Sequence, residues 1–108
     1  MNKGDVCIIK LIAGTGHEQF GERPAILVSD TKTGLVIVIP LTSNLNALKF
    51  PYVLTIFPDN QNKLNQKSVA LLFQVRAIDK SRIVKIVGRI NKNTQEKIDN
   101  ILKEMMGI

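Results

Sequence analysis

Six short segments of β-branched and apolar residues, separated by Gly, Pro, Asn or Asp, constrain the fold of this chain more than any other feature. They are Gly4 to Ile12, Pro24 to Asp30, Gly34 to Thr42, Tyr52 to Phe57, Ser68 to Ile78 and Arg82 to Ile90. Such segments are typical of β-strands joined by tight turns. Six strands in so short a chain predict a small β-barrel. The third contains Leu35 to Ile39, which is apolar without alternation, so we expect burial on both of its faces.

The spacing of apolar residues changes after Ile90, where a helical period begins. Asn93 and Glu96 predict an N-cap with a capping box, and Gly107 is placed to end the helix. The apolar positions between them are Ile98, Ile101, Leu102 and Met105. We interpret these positions as core rather than as a cofactor site. The predicted fold class is therefore mainly β with minor α, a barrel covered by one C-terminal amphipathic helix.

The length of 108 residues predicts one domain, residues 1–108, with a sizeable core. No apolar run approaches the roughly 20 residues that cross a bilayer, so we expect no membrane partner. The apolar N-terminal stretch is interrupted by Asp5 and Lys10 and is unlike a signal peptide, which predicts a cytoplasmic protein. The lone Cys7 lies in that stretch and is interpreted as an inert core thiol.

The charge of the chain is uneven as well as positive, with a net value of +6. The segment from Asn60 to Lys92 contains eight Lys and Arg residues and a single acidic residue, Asp79. A basic surface of this kind suggests a polyanionic partner, because neutralised phosphates release their counterions. Charge alone leaves open the alternative of a basic face that only keeps the protein soluble.

The residue inventory narrows the chemistry that the chain can carry out. One His and one Cys cannot build the usual zinc site, and no cluster of carboxylates suggests bound magnesium. The glycines at positions 14, 16 and 21 do not fit a dinucleotide-binding motif, and neither a phosphate-binding P-loop nor a G-x-S-x-G motif is present. We therefore predict that any catalysis uses no metal and no cofactor.

Four motifs in order carry a resemblance to a known family. They are "GDVCIIKL", "GHEQFGERPAILVS", "VIVIPLTS" and "FQVRAIDKSRI", the last followed by "VGRI" and the terminal helix. Together they resemble the MazF/PemK toxins of type II toxin–antitoxin systems. The resemblance implies a MazF/PemK/CcdB-like fold, an SH3-like barrel that works as a homodimer. It also implies sequence-selective, metal-independent cleavage of single-stranded RNA, restrained by a cognate antitoxin.

The resemblance implies a catalytic pair, since the arginine of the G-x-R-P motif and the threonine of the P-L-T-S motif correspond to Arg23 and Thr42. The planar guanidinium of Arg23 suits two phosphate oxygens. A guanidinium stays protonated at physiological pH, which makes Arg23 a clamp or proton donor rather than a general base. Thr42 ends a predicted buried strand, which would hold its hydroxyl in place.

The loop before Arg23 supplies a candidate general base. His17 is the only side chain of the chain whose unperturbed pKa, about 6.5, suits proton abstraction at neutral pH. The alternative is an exposed residue that contacts phosphate or has no role. Gln19 in the same loop is a candidate RNA contact, and the alternative for Gln19 and Glu18 is that they order the loop by hydrogen bonding.

Further candidate RNA contacts match the family pattern more weakly. Gln74 and Arg76 are two apart on one predicted strand and should face the same side, with Arg76 reaching phosphate. Ser43 either donates to a phosphate or caps the turn that follows. We expect Asp79 to cap its own turn through Ser81 or to pair with the nearby arginine.

RNA sequence recognition and two rival functions remain open at this point. Phe20, Phe50 and Tyr52 are candidates for stacking on bases, although Phe50 and Tyr52 can equally be packing residues around Pro51. The loops Ser43 to Tyr52 and Pro58 to Lys67 are candidate readers. One rival is a toxin of the same fold that poisons DNA gyrase through its C-terminal helix. The other is a non-catalytic basic barrel that binds nucleic acid.

Overall fold

The computed structural model of the protein describes residues 1–11 and 21–108. Within this part of the chain the strands are β1 Asp5–Leu11, β2 Gly21–Asp30, β3 Leu35–Thr42, β4 Val53–Ile56, β5 Ser68–Leu71, β6 Arg76–Asp79 and β7 Ile83–Arg89. One α-helix, α1, spans Lys92–Met106, and 3₁₀-helices occupy Leu45–Lys49, Leu72–Gln74 and Lys80–Arg82.

The strands form one antiparallel sheet in the order β4-β5-β3-β2-β1-β7, and β6 pairs with β3. Strand β3 is the centre of the sheet. One of its edges pairs with β2, and the other pairs with β6 at Leu35 to Val38 and with β5 at Leu41 and Thr42. In the described residues the two end strands, β4 and β7, do not pair, so the barrel-like sheet is not closed by hydrogen bonds. The predicted mainly β class with a C-terminal helix is confirmed.

The sheet separates two hydrophobic clusters, which explains the burial of β3 on both faces. The cluster under α1, called here the helix-side cluster, consists of Val6, Ile26, Ile39, Leu41, Ile56, Ala70, Leu72, Ile90 and Ile98. The opposite cluster consists of Cys7, Ile9, Ala25, Leu27, Val36, Val38 and Ile78. Strand β3 contributes to both clusters, as predicted, and only its first residue, Leu35, is exposed, at 41%.

The predicted strand from Ser68 to Ile78 is wrong as a single element. A continuous register from Ala70, which is opposite Leu41, would place Phe73 opposite Val38, but Arg76 occupies that position. The 3₁₀-helix Leu72–Gln74 takes up the three additional residues. The same apolar sequence therefore forms two short strands, β5 and β6, along one edge of β3.

The predicted helix exists, but its N-cap is Asn91 rather than Asn93. The Asn91 side chain accepts the backbone N–H of Thr94 at 2.8 Å, so the predicted capping box with Glu96 is wrong. Gly107 ends α1 in the left-handed conformation with φ +73°, as predicted. Ile98 is buried and the other three apolar positions are half-buried, which confirms the predicted stripe. No helix in residues 1–11 and 21–108 combines the length and the apolar character needed to cross a membrane.

The lone thiol is a core residue, as the sequence predicts. Cys7 has no exposed surface, and its Sγ donates to the carbonyl oxygen of Ala25 at 3.5 Å. Burial, with a smaller contribution from the neighbouring Asp5 carboxylate, raises the pKa of the Cys7 thiol to about 11. The thiol is therefore protonated at neutral pH and is a poor nucleophile.

Candidate active site

A cleft of about 590 Å³ lies where β2 begins and β3 ends. Three cationic side chains line it, Arg23, Lys63 and Lys85, with Glu22 as the single carboxylate among the lining residues that the structure describes. Hydroxyl groups from β3 and β5 and amides from the loop before β5 add hydrogen-bonding groups, and apolar side chains complete the lining. A cleft with this excess of positive charge suits a polyanion.

The strand register explains why Arg23 and Thr42 share this cleft. Ala25 on β2 pairs with Pro40 on β3. Past this pair, β2 extends back to Arg23 and β3 extends on to Thr42, so both residues lie at the same end of the sheet and both line the cleft. Both side chains are half-buried, so the scaffold restricts them while they remain accessible to a ligand. The structure thus brings together the two residues that the sequence motifs single out.

The Thr42 hydroxyl is oriented by its own turn. Its Oγ1 accepts the backbone N–H of Asn44 at 3.2 Å, which leaves the hydroxyl proton free to donate. Ser43 is exposed and lines the same cleft. The turn after it is capped by Asn44, whose Oδ1 accepts the N–H of Asn46 at 3.0 Å. The alternative role of Ser43 as the cap of this turn is therefore wrong.

Two cationic residues of the cleft, Lys85 and Lys63, were missed as site residues by the sequence reasoning. Ile8 of β1 pairs with Pro24 on one side and with Lys85 of β7 on the other. Lys85 therefore lies two strands away from the start of β2. Lys63 is on the loop between β4 and β5. The sequence signals were the basic segment that contains both residues and, for Lys63, the candidate reader loop Pro58 to Lys67, and neither signal shows which lysines approach Arg23.

Buried Asn62 holds the loop between β4 and β5 as a fixed wall of the cleft. Only 2% of Asn62 is exposed. Its Oδ1 accepts the backbone N–H groups of Asp59 at 3.1 Å and Leu64 at 3.0 Å, and its Nδ2 donates to the carbonyl of Phe57 at 2.9 Å. The polar composition that made this loop a candidate reader thus serves partly to fold the loop.

Gln74 and Arg76 do not line the cleft and do not share a strand. Gln74 ends the 3₁₀-helix Leu72–Gln74, and Arg76 begins β6; both are exposed. The prediction that they face the same side of one strand is wrong, because the extra turn lies between β5 and β6. The predicted base His17 and the predicted contact Gln19 lie outside the described residues.

The aromatic candidates in the described residues are also outside the cleft. The Phe50 ring packs against Phe73 with centroids 5.3 Å apart, and Phe50 and Tyr52 are each more than one-third exposed. Neither Phe50 nor Tyr52 is among the residues that line the cleft with Arg23. Phe20 lies outside the described residues.

Asp79 caps its turn, as predicted. Its Oδ1 accepts the backbone N–H of Ser81 at 2.9 Å and the Ser81 hydroxyl at 2.7 Å. These hydrogen bonds, that of the backbone first, hold the pKa of the Asp79 carboxyl below its usual value. The carboxylate is therefore occupied by the turn before β7.

Comparison with known proteins identifies the family of the chain. Residues 2–106 match the family model of the PemK-like, MazF-like toxins of type II toxin–antitoxin systems, and the chain belongs to this family. The chain is 30% identical over 113 residues to the endoribonuclease MazF of Staphylococcus saprophyticus, an alignment that covers 100% of this chain and 92% of that protein. The resemblance seen in the four sequence motifs is thereby confirmed.

Solved structures show the same fold. MazF from Deinococcus radiodurans superposes with a TM-score of 0.78 at 26% identity, covering 100% of this chain and 97% of the other. A MazE–MazF structure from the same organism gives 0.78 at 24% identity, with 100% and 96% covered. A mycobacterial endoribonuclease in complex with its cognate antitoxin gives 0.72 at 19% identity, with 98% and 94% covered. The last two comparisons support the fold alone.

Proposed function

We propose that this chain is an endoribonuclease toxin that cleaves single-stranded RNA at selected sequences, without a metal ion, through the 2′-hydroxyl of the RNA itself. The observation that carries the proposal is the cleft in which Arg23 and Thr42 meet at adjoining strand ends. Membership of the toxin family and a relative named as an endoribonuclease support the same reaction.

The proposed reaction exchanges one phosphate ester bond for another. The 2′-oxygen attacks the adjacent phosphorus and gives its proton to a base, while the bond from phosphorus to the 5′-oxygen breaks and that oxygen takes up a proton. The products are a 2′,3′-cyclic phosphate and a 5′-hydroxyl. Arg23 binds two phosphate oxygens as their charge grows, and the hydroxyls of Thr42 and Ser43 donate hydrogen bonds to the same group.

His17 remains the proposed base, and its role has a signature in the pH profile. Its imidazole accepts a proton only when neutral, so kcat/KM should rise with pH through a value near about 6.5 and then level off. His17→Ala should lower the rate and remove this acidic limb. The measurement is kcat/KM on an RNA oligonucleotide from about pH 5 to pH 8 in both proteins. An unchanged profile would assign the base to another group.

A nuclease assay on a long purified RNA in the presence of EDTA separates the three candidate functions. Discrete cuts identify the endoribonuclease, and Arg23→Ala purified in parallel shows that the cuts do not come from a contaminant. A salt-sensitive mobility shift without cuts identifies the nucleic-acid binder. The absence of both RNA cuts and a mobility shift would favour the gyrase poison.

We also infer that a cognate antitoxin inhibits this chain by placing an acidic, apolar segment across the RNA cleft. Type II toxins act within toxin–antitoxin pairs, and the cationic cleft suits a carboxylate-rich peptide as well as it suits phosphate. The homodimer implied by the family resemblance is part of the same proposal. The molar mass of the purified chain in solution tests it.

Competition between RNA and antitoxin tests the shared cleft. Lys85→Glu should weaken both ligands, whereas Lys92→Glu makes the same charge change at the exposed start of α1, outside the cleft, and should affect them much less. The measurement is a titration with an antitoxin peptide in the presence of an uncleavable RNA analogue, repeated as salt is raised. Simultaneous binding without mutual loss of affinity would show that the antitoxin acts elsewhere.

Gln74 and Arg76 remain proposed contacts for RNA that extends beyond the cleft. Both side chains are exposed. Arg76 can bind the RNA backbone through its charge without reading the RNA sequence. Gln19 stays a proposed contact in the loop before β2.

A further inference from the structure

Lys63 has a backbone conformation that lysine rarely adopts. Its φ is +59°, in the left-handed region where a Cβ atom is crowded and glycine is favoured. Residues held in this region against their preference cluster at functional sites. Among the described residues, Lys32 and Tyr52 are the other two non-glycine residues with positive φ. Whether this conformation serves a function must therefore be judged from the contacts around each residue.

Hydrogen bonds on both sides of Lys63 impose this conformation. The backbone N–H of Lys63 donates to the carbonyl of Asp59 at 3.2 Å. The buried Asn62 side chain accepts the N–H of Leu64 at 3.0 Å, so the residue after Lys63 is also tied. These bonds involve backbone groups and the Asn62 side chain, and none of them uses the Lys63 side chain. Glycine would make the same backbone bonds with less strain.

The loop is also docked against the sheet. The carbonyl of Gln61 accepts the backbone N–H of Arg89 on β7 at 2.9 Å. Gly88 allows this approach, because a Cβ atom there would lie 2.4 Å from the same carbonyl oxygen. The position of Lys63 over the cleft is therefore set by contacts of its neighbours.

The lysine side chain adds charge to the cleft. Lys63 is exposed and lines the cleft together with Arg23 and Lys85, whereas the next residue, Leu64, packs against the helix-side cluster. The three cations come from a loop and two different strands. Because RNA carries a phosphate at every nucleotide, a strand whose scissile phosphate is held by Arg23 has neighbouring phosphates beside the walls of the cleft.

We propose that Lys63 neutralises an RNA backbone phosphate next to the scissile one, and that the loop accepts a left-handed lysine in order to place this charge. The inference rests on the proposed function, since it takes single-stranded RNA as the ligand. A lysine contact of this kind contributes affinity rather than sequence selectivity.

The test replaces Lys63 by glycine, which removes both the strain and the charge. The probe is a single-stranded, fully 2′-O-methylated RNA of mixed sequence, which has no 2′-hydroxyl to attack. Its affinity is measured by fluorescence anisotropy at several salt concentrations. Lys63→Gly should bind several-fold more weakly at low salt, with a slope of log affinity against log salt that is shallower by about 0.7. Its melting temperature should be at least that of the wild type, and Lys63→Arg should restore the slope.

Lys32→Gly is the matched control. Lys32 is exposed in the turn between β2 and β3, has φ +60°, and does not line the cleft. This variant loses the same charge and the same strain, and its salt slope should remain that of the wild type. An unchanged slope in Lys63→Gly, or equal changes in both glycine variants, would overturn the assignment. Failure of the wild type to cut unmodified RNA would instead contradict the endoribonuclease proposal, whatever the slopes are.

Discussion

Arg23→Ala is expected to lower kcat for RNA cleavage by roughly 10²- to 10³-fold, the usual loss when one preorganised charge-stabilising group is removed. Thr42→Val, which keeps the shape and removes the hydroxyl, should cause a loss of similar order. Both residues are at strand ends and half-buried, so the fold should survive. The measurement is kcat and KM on an RNA oligonucleotide, with circular dichroism to verify folding.

Two conservative variants separate chemistry from packing at this site. Arg23→Lys keeps the charge but loses the planar fork, so its activity should lie between those of the alanine variant and the wild type. Thr42→Ser keeps the hydroxyl that accepts from Asn44 and should retain most of the activity. Full activity in both Arg23→Ala and Thr42→Val would remove this cleft as the active site.

Gly88→Ala is expected to lower the free energy of unfolding by about 1–3 kcal/mol and to reduce RNA cleavage at the same time. A Cβ atom at Gly88 would lie 2.4 Å from the carbonyl oxygen of Gln61 and 2.6 Å from that of Asn62, both backbone atoms. The backbone at Gly88 is outside the left-handed region, so the effect comes from lack of space. The loop must move away from β7, and Lys63 must move with it.

Gly34→Ala is the control for a loss of stability without loop displacement. Gly34 has φ +90° but open space around it, so alanine there adds backbone strain far from the loop. Urea unfolding gives the stability of each variant, and cleavage is measured well below both melting temperatures. We expect Gly34→Ala to cut RNA normally when folded. Wild-type stability and cleavage in Gly88→Ala would show that the loop does not depend on this close approach.

The elements that could be predicted from sequence are those set by local patterns. The apolar run in β3 predicted burial on both faces, and the helical spacing after Ile90 predicted the stripe of α1. The predicted N-cap, Asn93, was wrong because Asn91, two residues earlier, has a side chain with the same capping chemistry. The long-range contact of Ile90, whose N–H donates to the carbonyl of Gly4 at 2.9 Å, holds the chain just before Asn91.

Features that depend on pairing between distant segments could not be predicted. The break in the strand from Ser68 to Ile78 follows from the register of two short strands on β3, to which the apolar sequence gives no clue. The residues of the candidate active site likewise depend on contacts between distant segments of the chain. Arg23 and Thr42 were identified by motifs, whereas Lys63 reaches the cleft only because Gln61 docks on β7 at Gly88. Non-local backbone contacts of this kind leave no local sequence signature.

The proposed reaction requires that the 2′-hydroxyl of the RNA is the nucleophile within this cleft. The most direct test first maps one cut in a long RNA with EDTA present, and then replaces the single ribose on the 5′ side of that bond by 2′-deoxyribose in an otherwise identical oligonucleotide. We expect the unmodified oligonucleotide to yield a 2′,3′-cyclic phosphate and a 5′-hydroxyl. The substituted oligonucleotide should still bind the protein, but its modified bond should stay intact. Cleavage of the substituted bond at an undiminished rate would contradict the proposed reaction, because the nucleophile would then have to be a group other than the adjacent 2′-hydroxyl.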